Sequence, residues 1–376
     1  MRRRVLLATL AVLFGVLVAG CGGSSKSSEG GGDTDQGEGQ HAKVTLQLKW
    51  VTQAQFAGYY AAKAKGYYDD ENLDVNIKVG GPSITPEQVV LGKQAQFGID
   101  WLPSLLASRD KGQDLVNIAQ MFTRSGMTEL TWKTSGITTI PQMKDKKVGV
   151  WCCGNENELY AAFNKNGMSP TKDVTIVNQP FDMNLFLNRQ VDAAAAMTYN
   201  ELAQVLETKN PSTGQLYKPS DLNVISMDSV GTGMLEDGVF VRGDWIKDKD
   251  NEEVAKRFLA ASDRGWIYCR NHVSECTQIV LNNGPTLGKG HQTWMMNEIN
   301  ALIWPASDGI GVMNKKAYDQ TAKIARQFGV ISKAPSKDAY RTDIAQDAVD
   351  EISAEGEDVN GNDYTKPAVK VTPKGQ

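Results

Sequence analysis

The chain has 376 residues, 41% of them hydrophobic and 22% charged, with 40 lysines and arginines against 44 aspartates and glutamates. Its formal charge is −4 and no basic block follows the first few residues, so nucleic acid is excluded as a partner. The length suffices for two lobes of ordinary domain size.

Arg2, Arg3 and Arg4 precede an apolar run over 5–18 that is too short to span a bilayer comfortably and ends in VAGC. Basic residues, an apolar run and small residues ahead of Cys21 resemble a bacterial lipoprotein signal. Residues 1–20 are therefore expected to be cleaved as a signal peptide, leaving Cys21 as the acylated N-terminus. Several acyl chains there would hold the protein on the outer face of the cytoplasmic membrane. Loss of the three arginines takes the formal charge from −4 to −7. Residues 21–42 are glycine, serine and acids with almost no apolar side chain. They read as a flexible, lipid-anchored linker, because such a segment cannot bury enough surface to offset its ordering entropy.

Strand and helix patterns then alternate. Strands are predicted at 44–48, 74–79, 95–100 and 115–121, with helices at 54–65, 86–91 and 102–111; Gly66 and Gly112 stop two of the helices. The pattern restarts with strands at 146–151, 174–177 and 191–197 and helices at 156–166, 181–190 (capped by Asp182) and 199–208. Strands at 223–226 and 238–241 follow. From 251 onward the chain reads as helical, over 251–269, 272–282, 291–303, 315–328 and 341–351. Alternation with short connections argues for mainly parallel α/β sheets covered by helices. Two such units and a helical return imply lobe 1 from 43–126 plus 236–355 and lobe 2 from 127–235, with crossings near 124–132 and 228–238. Residues 356–376 read as a flexible tail.

Four cysteines besides Cys21 suit an oxidising compartment. Cys269 and Cys276 are seven apart across a helix–loop–helix corner and could pair; Cys152 and Cys153 could close a vicinal ring or remain thiols. His41, His272 and His291 are scattered, and no Cys/His spacing resembles a zinc site, so no metal is expected.

Ligands of open α/β sheets sit beyond the carboxyl ends of strands. Five such ends carry polar-aromatic clusters: Trp50, Gln53 and Gln55 with Tyr59 and Tyr60; Asp100 and Trp101; Trp151 to Glu156; Thr198 to Glu201; Glu236 and Asp237. Indole and phenol rings stack while carboxamides and carboxylates pair in plane, which suits a planar nitrogen heterocycle. Trp50, Gln55, Tyr59, Asp100, Trp101, Asn155, Glu156, Tyr199, Asn200 and Glu236 are the expected contacts. Most of Tyr59, Tyr60, Tyr67 and Tyr68 belong to the packed face of their helix. G-x-S-x-G, HExxH and dinucleotide motifs are missing, and GPTLGKG at 284–290 is one residue short of a phosphate loop. No catalytic residue and no cofactor is expected.

LKWVTQAQFAGYYAAKAKGYYDDENLDV, the GGP at 80–82, FGIDWLPSLLASRDKG, FDMNLFL, VDAAAAMTYNEL and MLEDGVFVRGDW resemble solute-binding lipoproteins of ABC importers. The branch is that related to thiamine-pyrimidine synthases and to sulfonate, nitrate and taurine binders, and the likeness runs from about 43 to 350. It implies a periplasmic-binding-protein type II fold, two α/β lobes joined by a two-stranded hinge, that closes on its ligand as a monomer and docks on a permease with a cytoplasmic ATPase. It also implies a thiamine pyrimidine precursor, such as a hydroxymethyl- or formylamino-pyrimidine, or riboflavin. The related synthases use a lysine for pyridoxal phosphate, a histidine consumed as substrate and a cysteine-rich iron motif. Those positions fall here on Asp100, near Ser104 and on the cysteine-free GTGMLEDG, so a binder is expected rather than an enzyme. The alternatives are a synthase-like enzyme and a sulfonate, taurine or nitrate binder; the latter would want an arginine in the cleft, for which Arg124 is the obvious choice.

Overall fold

The computed structural model describes residues 41–152, 154–180 and 182–376. The expected signal peptide, Cys21, the linker up to residue 40 and Cys153 lie outside the described residues.

Among the described residues ten strands form two five-stranded sheets. They are β1 (Ala42–Gln47), β2 (Leu73–Lys78), β3 (Phe97–Asp100), β4 (Leu115–Gln120), β5 (Met127–Trp132), β6 (Lys147–Val150), β7 (Thr175–Asn178), β8 (Ala193–Met197), β9 (Leu222–Ser226) and β10 (Gly238–Arg242). The first sheet runs β2-β1-β3-β10-β4 and the second β7-β6-β8-β5-β9. The two orders are equivalent, so the restart seen in the sequence is a repeat of topology. β8 shows why the strands form where they do. All five residues of its AAAAM run are buried, as expected of a sheet interior covered on both faces.

Each sheet departs from the expected parallel pattern at one strand. β10 pairs antiparallel with β3 and β4, and β5 pairs antiparallel with β8 and β9. Both are the first strand after a crossing. A chain that arrives at the edge where the parallel strands end must run down the sheet against them. The expected crossing at 124–132 is therefore shorter, because β5 already begins at Met127.

No ladder pairs the two crossings among the described residues. Side chains tie them instead. Gln120 donates to the carbonyls of Phe122 and Glu236, and the Glu236 carboxylate accepts the N–H of Gly126 at 2.9 Å.

The first sheet packs against helix Lys249–Asn271, where Phe258 stacks on Phe97 with ring centres 4.0 Å apart. Helix Ala57–Ala64 crosses the same helix at Gly58, where an added Cβ would lie 2.2 Å from the Trp266 ring. The expected 54–65 helix opens with a 3-10 turn at Ala54–Phe56. Cys269 and Cys276 are disulfide-bonded with Cα atoms 5.2 Å apart, joining two consecutive helices; Cys152 is disulfide-bonded as well.

Residues 356–376, expected as a flexible tail, are held along their length. Val359 is buried, Lys366 pairs with Glu298, and the Lys374 N–H donates to the Glu207 carbonyl at 3.0 Å. Composition concealed this because the anchors are backbone groups and single side chains spread over a polar run. Among the described residues no helix is long and apolar enough to cross a membrane.

Candidate functional site

The carboxyl ends of β1, β3, β6 and β8, the inner parallel strands of the two sheets, converge on one cleft with about 320 Å3 of empty space, open solvent included. Lys49, Trp50, Gln53, Gln55 and Trp101 line it from the first sheet, and Trp151, Asn155, Met197, Tyr199, Asn200 and Glu201 from the second. Three indoles and a phenol make the walls. None of the lining residues is a serine, threonine, cysteine or histidine.

The backbone under Trp50 is fixed by the GGP turn. Gly80 and Gly81 donate their N–H groups to the carbonyls of Trp50 and Lys49 at 3.0 and 3.2 Å. A Cβ on Gly80 would stand 2.1 Å from the Leu48 carbonyl, so only glycine allows this approach. Trp101 starts helix Leu102–Asp110, and its indole N–H donates to Asp237 Oδ1 at 3.0 Å. Asp237 Oδ2 accepts from Gln55 at 2.7 Å, and Gln55 Oε1 accepts from Gln53 at 2.6 Å. One buried carboxylate thus orients an indole and two carboxamides. Burial raises its pKa to about 6, against the bonds from Gln55 and Trp101 and the charge of Lys49.

Lys49 donates to Asp100, whose Oδ1 also accepts the Trp101 N–H at 2.6 Å. Burial works against the ammonium, but Asp100, with Glu87 and Asp237 beyond it, raises its pKa overall. Glu87 is buried too, and burial and then the Asp100 charge push it well above the ordinary range. On the opposite wall Glu201 Oε2 accepts the Met197 N–H at 3.0 Å, and Oε1 accepts from Asn200 at 2.8 Å. Burial lifts the pKa of Glu201 to about 8, against the bond from the Met197 N–H. His291 reaches across to Asn200: Nε2 lies 2.9 Å from Asn200 Oδ1, and Nδ1 lies 3.0 Å from each oxygen of Glu207.

Of the residues expected from the sequence, Trp50, Gln55, Trp101, Asn155, Tyr199 and Asn200 come together on the cleft wall. Four others do not. Tyr59 faces the core, edge-on to Trp266 with centroids 5.7 Å apart, because its helix turns that face onto Lys249–Asn271. Asp100 is held by Lys49. Glu156 folds back to accept the Gly154 N–H at 2.9 Å, opening its own helix. Glu236 turns to the crossings while its neighbour Asp237 serves the cleft, since successive residues entering a strand face opposite sides. Lys49, Gln53, Trp151, Met197 and Glu201 were not among the expected contacts. Gln53, Trp151 and Glu201 were legible as strand-end residues, whereas Lys49 and Met197 carried no signal beyond ending a strand. Arg124 donates to the carbonyls of Ala301 and Pro305, outside the cleft. Among the described residues no cluster of three or more His, Cys, Asp or Glu could hold a metal ion.

A sequence profile of the family described as NMT1/THI5 like matches residues 53–275. A Haemophilus influenzae protein named for thiamine biosynthesis is 23% identical over 310 residues, 80% of this chain and 92% of that one. The riboflavin-binding protein RibY of Chloroflexus aurantiacus is 22% identical over 88% of this chain and 94% of its own. The 4-amino-5-hydroxymethyl-2-methylpyrimidine phosphate synthase of Candida albicans is 24% identical over 65% and 72%. Among solved structures, the periplasmic aliphatic sulphonate binding protein SsuA of Escherichia coli superposes with a TM-score of 0.60 at 14% identity, covering 81% of this chain and 91% of that one. At that identity the likeness shows the fold, which is that of periplasmic binding proteins.

Proposed function

The chain belongs to the NMT1/THI5-like family, and on that premise we propose that it is an extracytoplasmic solute-binding lipoprotein of an ABC importer that closes its lobes on a planar nitrogen heterocycle. One observation carries the reading. Both sheets contribute aromatic walls to a single cleft, and carboxamides and the Glu201 carboxyl lie between those walls. Ring faces would stack on Trp50, Trp101, Trp151 and Tyr199 while Asn155, Asn200, Gln55 and Glu201 pair with ring-edge donors and acceptors. Binding would shift an open–closed equilibrium, because only the closed form engages both walls.

The preferred ligand is a thiamine-type pyrimidine, with riboflavin next. The proposal extends to the permease and its ATPase as partners, to a monomeric state, and to anchoring through an acylated Cys21. An anion binder is disfavoured because the one cleft cation, Lys49, is matched by Asp100. Calorimetry with an aminopyrimidine and with riboflavin tests the reading, alongside native mass spectrometry of the protein as purified. The Trp50→Ala/Trp101→Ala double variant should lose binding while keeping its circular dichroism. Unchanged affinity in that variant discards the site, and a bound pyridoxal absorbance would favour the enzyme alternative.

A further inference from the structure

Away from the cleft, the two crossings meet a second group of acids. Ser125 Oγ, on the first crossing, lies 2.7 Å from Glu158 Oε2 and 2.9 Å from Glu236 Oε1. It also accepts the N–H of Met127 at 3.0 Å. Glu158 comes from helix Asn157–Lys165 of the second lobe and Glu236 from the second crossing. Both side chains are 0% exposed, and among the described residues Glu158 Oε1 and Glu236 Oε2 have no hydrogen-bond partner.

Protons can be counted here. A serine hydroxyl has one hydrogen to give. If it goes to Glu158, the 2.9 Å approach of Glu236 needs a proton of its own, and the converse holds for the other choice. Two ionised carboxylates would leave bare lone pairs facing each other in a site closed to water, where such repulsion is weakly screened. We propose that Glu158 and Glu236 share a proton through Ser125, and that its loss loosens the two crossings, so that lobe arrangement depends on pH.

The neighbouring charges point the same way. Asp228, from the turn of helix Met227–Val230, and Asp237, next in sequence to Glu236, both add negative potential, and the Tyr199 phenol lies within reach of the Glu236 charge. Arg124 acts on Asp228, and Lys165 is spent on the carbonyls of Val230 and Gly231. Burial lifts Glu236 to about 8, and burial followed by the Glu236 charge pushes Glu158 well above the ordinary carboxylate range.

As regulation of the cleft the inference rests on the solute-binding reading, but its test needs no ligand. Small-angle scattering of the wild type should show the radius of gyration rising as pH passes from about 6 to about 9, when the shared proton is lost. Infrared difference spectra of wild type minus Glu236→Gln should show a protonated carboxyl band that fades over the same range. The Glu158→Gln/Glu236→Gln variant should keep the low-pH dimension throughout. Ser125→Ala, which removes only the bridge, should shift the band to lower pH with the fold retained by circular dichroism. A double variant as pH-responsive as the wild type, or a difference spectrum without that band, overturns the proposal. So does a transition that follows added sodium or calcium instead of pH.

Discussion

Lys49 holds its ammonium 4.8 Å from the centre of the Trp101 ring while donating to Asp100, so cation, carboxylate and indole form one buried unit at the cleft. With Glu87 close by, Asp100 depends on that single cation. Replacing Lys49 by Met should cost about 3–5 kcal/mol, the usual result of stranding one partner of a buried pair. The double variant Lys49→Met/Asp100→Leu should recover much of the loss, because it removes the stranded charge. Urea unfolding of the four proteins gives the cycle, and additive losses would show that the two residues do not act as a pair.

Gly58 and Gly265 set how closely helices Ala57–Ala64 and Lys249–Asn271 approach. A Cβ on Gly58 would enter the Trp266 ring at 2.2 Å, and one on Gly265 would lie 2.1 Å from the Gly58 carbonyl. Neither obstacle is a flexible tip, so Gly58→Ala should destabilise by about 3 kcal/mol, at the upper end of overpacking effects. Gly66→Ala is the control. Its φ of +82° disfavours a side chain but nothing lies within 4 Å, so about 1 kcal/mol is expected from backbone conformation alone. Equal losses at the two sites would refute close packing as the cause.

The sequence made strand ends legible and left side-chain direction obscure, and the reason is visible at residues 236 and 237. A period of two assigns neighbours to opposite faces, but only the register against β3 and β4 decides which neighbour serves which face. The carboxylates of Glu236 and Asp237 are chemically alike in the sequence, and it is Asp237 that orients Trp101 and Gln55. Tyr59 failed for a related reason, since an apolar helix face and a pocket wall use the same residue types. The antiparallel β5 and β10 were invisible because direction within a sheet depends on where the crossings attach, which short apolar runs do not encode. Lys49 carried too little signal alone; its role exists only in company with Asp100 and Trp101, distant in sequence.

The Cys269–Cys276 bridge closes a short loop between two buried positions. By the loop-entropy relation a ring of this size contributes about 2.5 kcal/mol, less than a long-range bridge would. Cys269→Ser/Cys276→Ser should therefore lower the urea midpoint without unfolding the protein at room temperature. Ligand affinity should be unchanged, because neither cysteine lines the cleft. A variant that lost its fold outright would mean that the corner between helices Lys249–Asn271 and Val273–Asn283 nucleates the core.

Glu129 sits mid-strand in β5, opposite Ala195 and Ile225, fully buried and, among the described residues, with both oxygens unpartnered. Burial alone pushes its pKa well above the ordinary range, so the folded protein keeps a proton that the unfolded chain has released. The folded state then binds more protons, and stability must fall as pH rises from the ordinary carboxylate range toward the folded-state pKa. Glu201, at about 8, and Asp237, at about 6, act in the same direction. The exposed pair of Asp343 with Arg341, which holds the aspartate below its ordinary value, acts oppositely, losing its small contribution as pH falls. Each fully titrating buried group adds at most about 1.4 kcal/mol per pH unit to the slope. Glu129→Gln should therefore flatten the decline of unfolding free energy between about pH 5 and about pH 8 by up to that amount, and gain on the wild type toward the alkaline end. Parallel curves for the two proteins would mean that Glu129 is ionised in the fold, and that an unseen partner meets its charge.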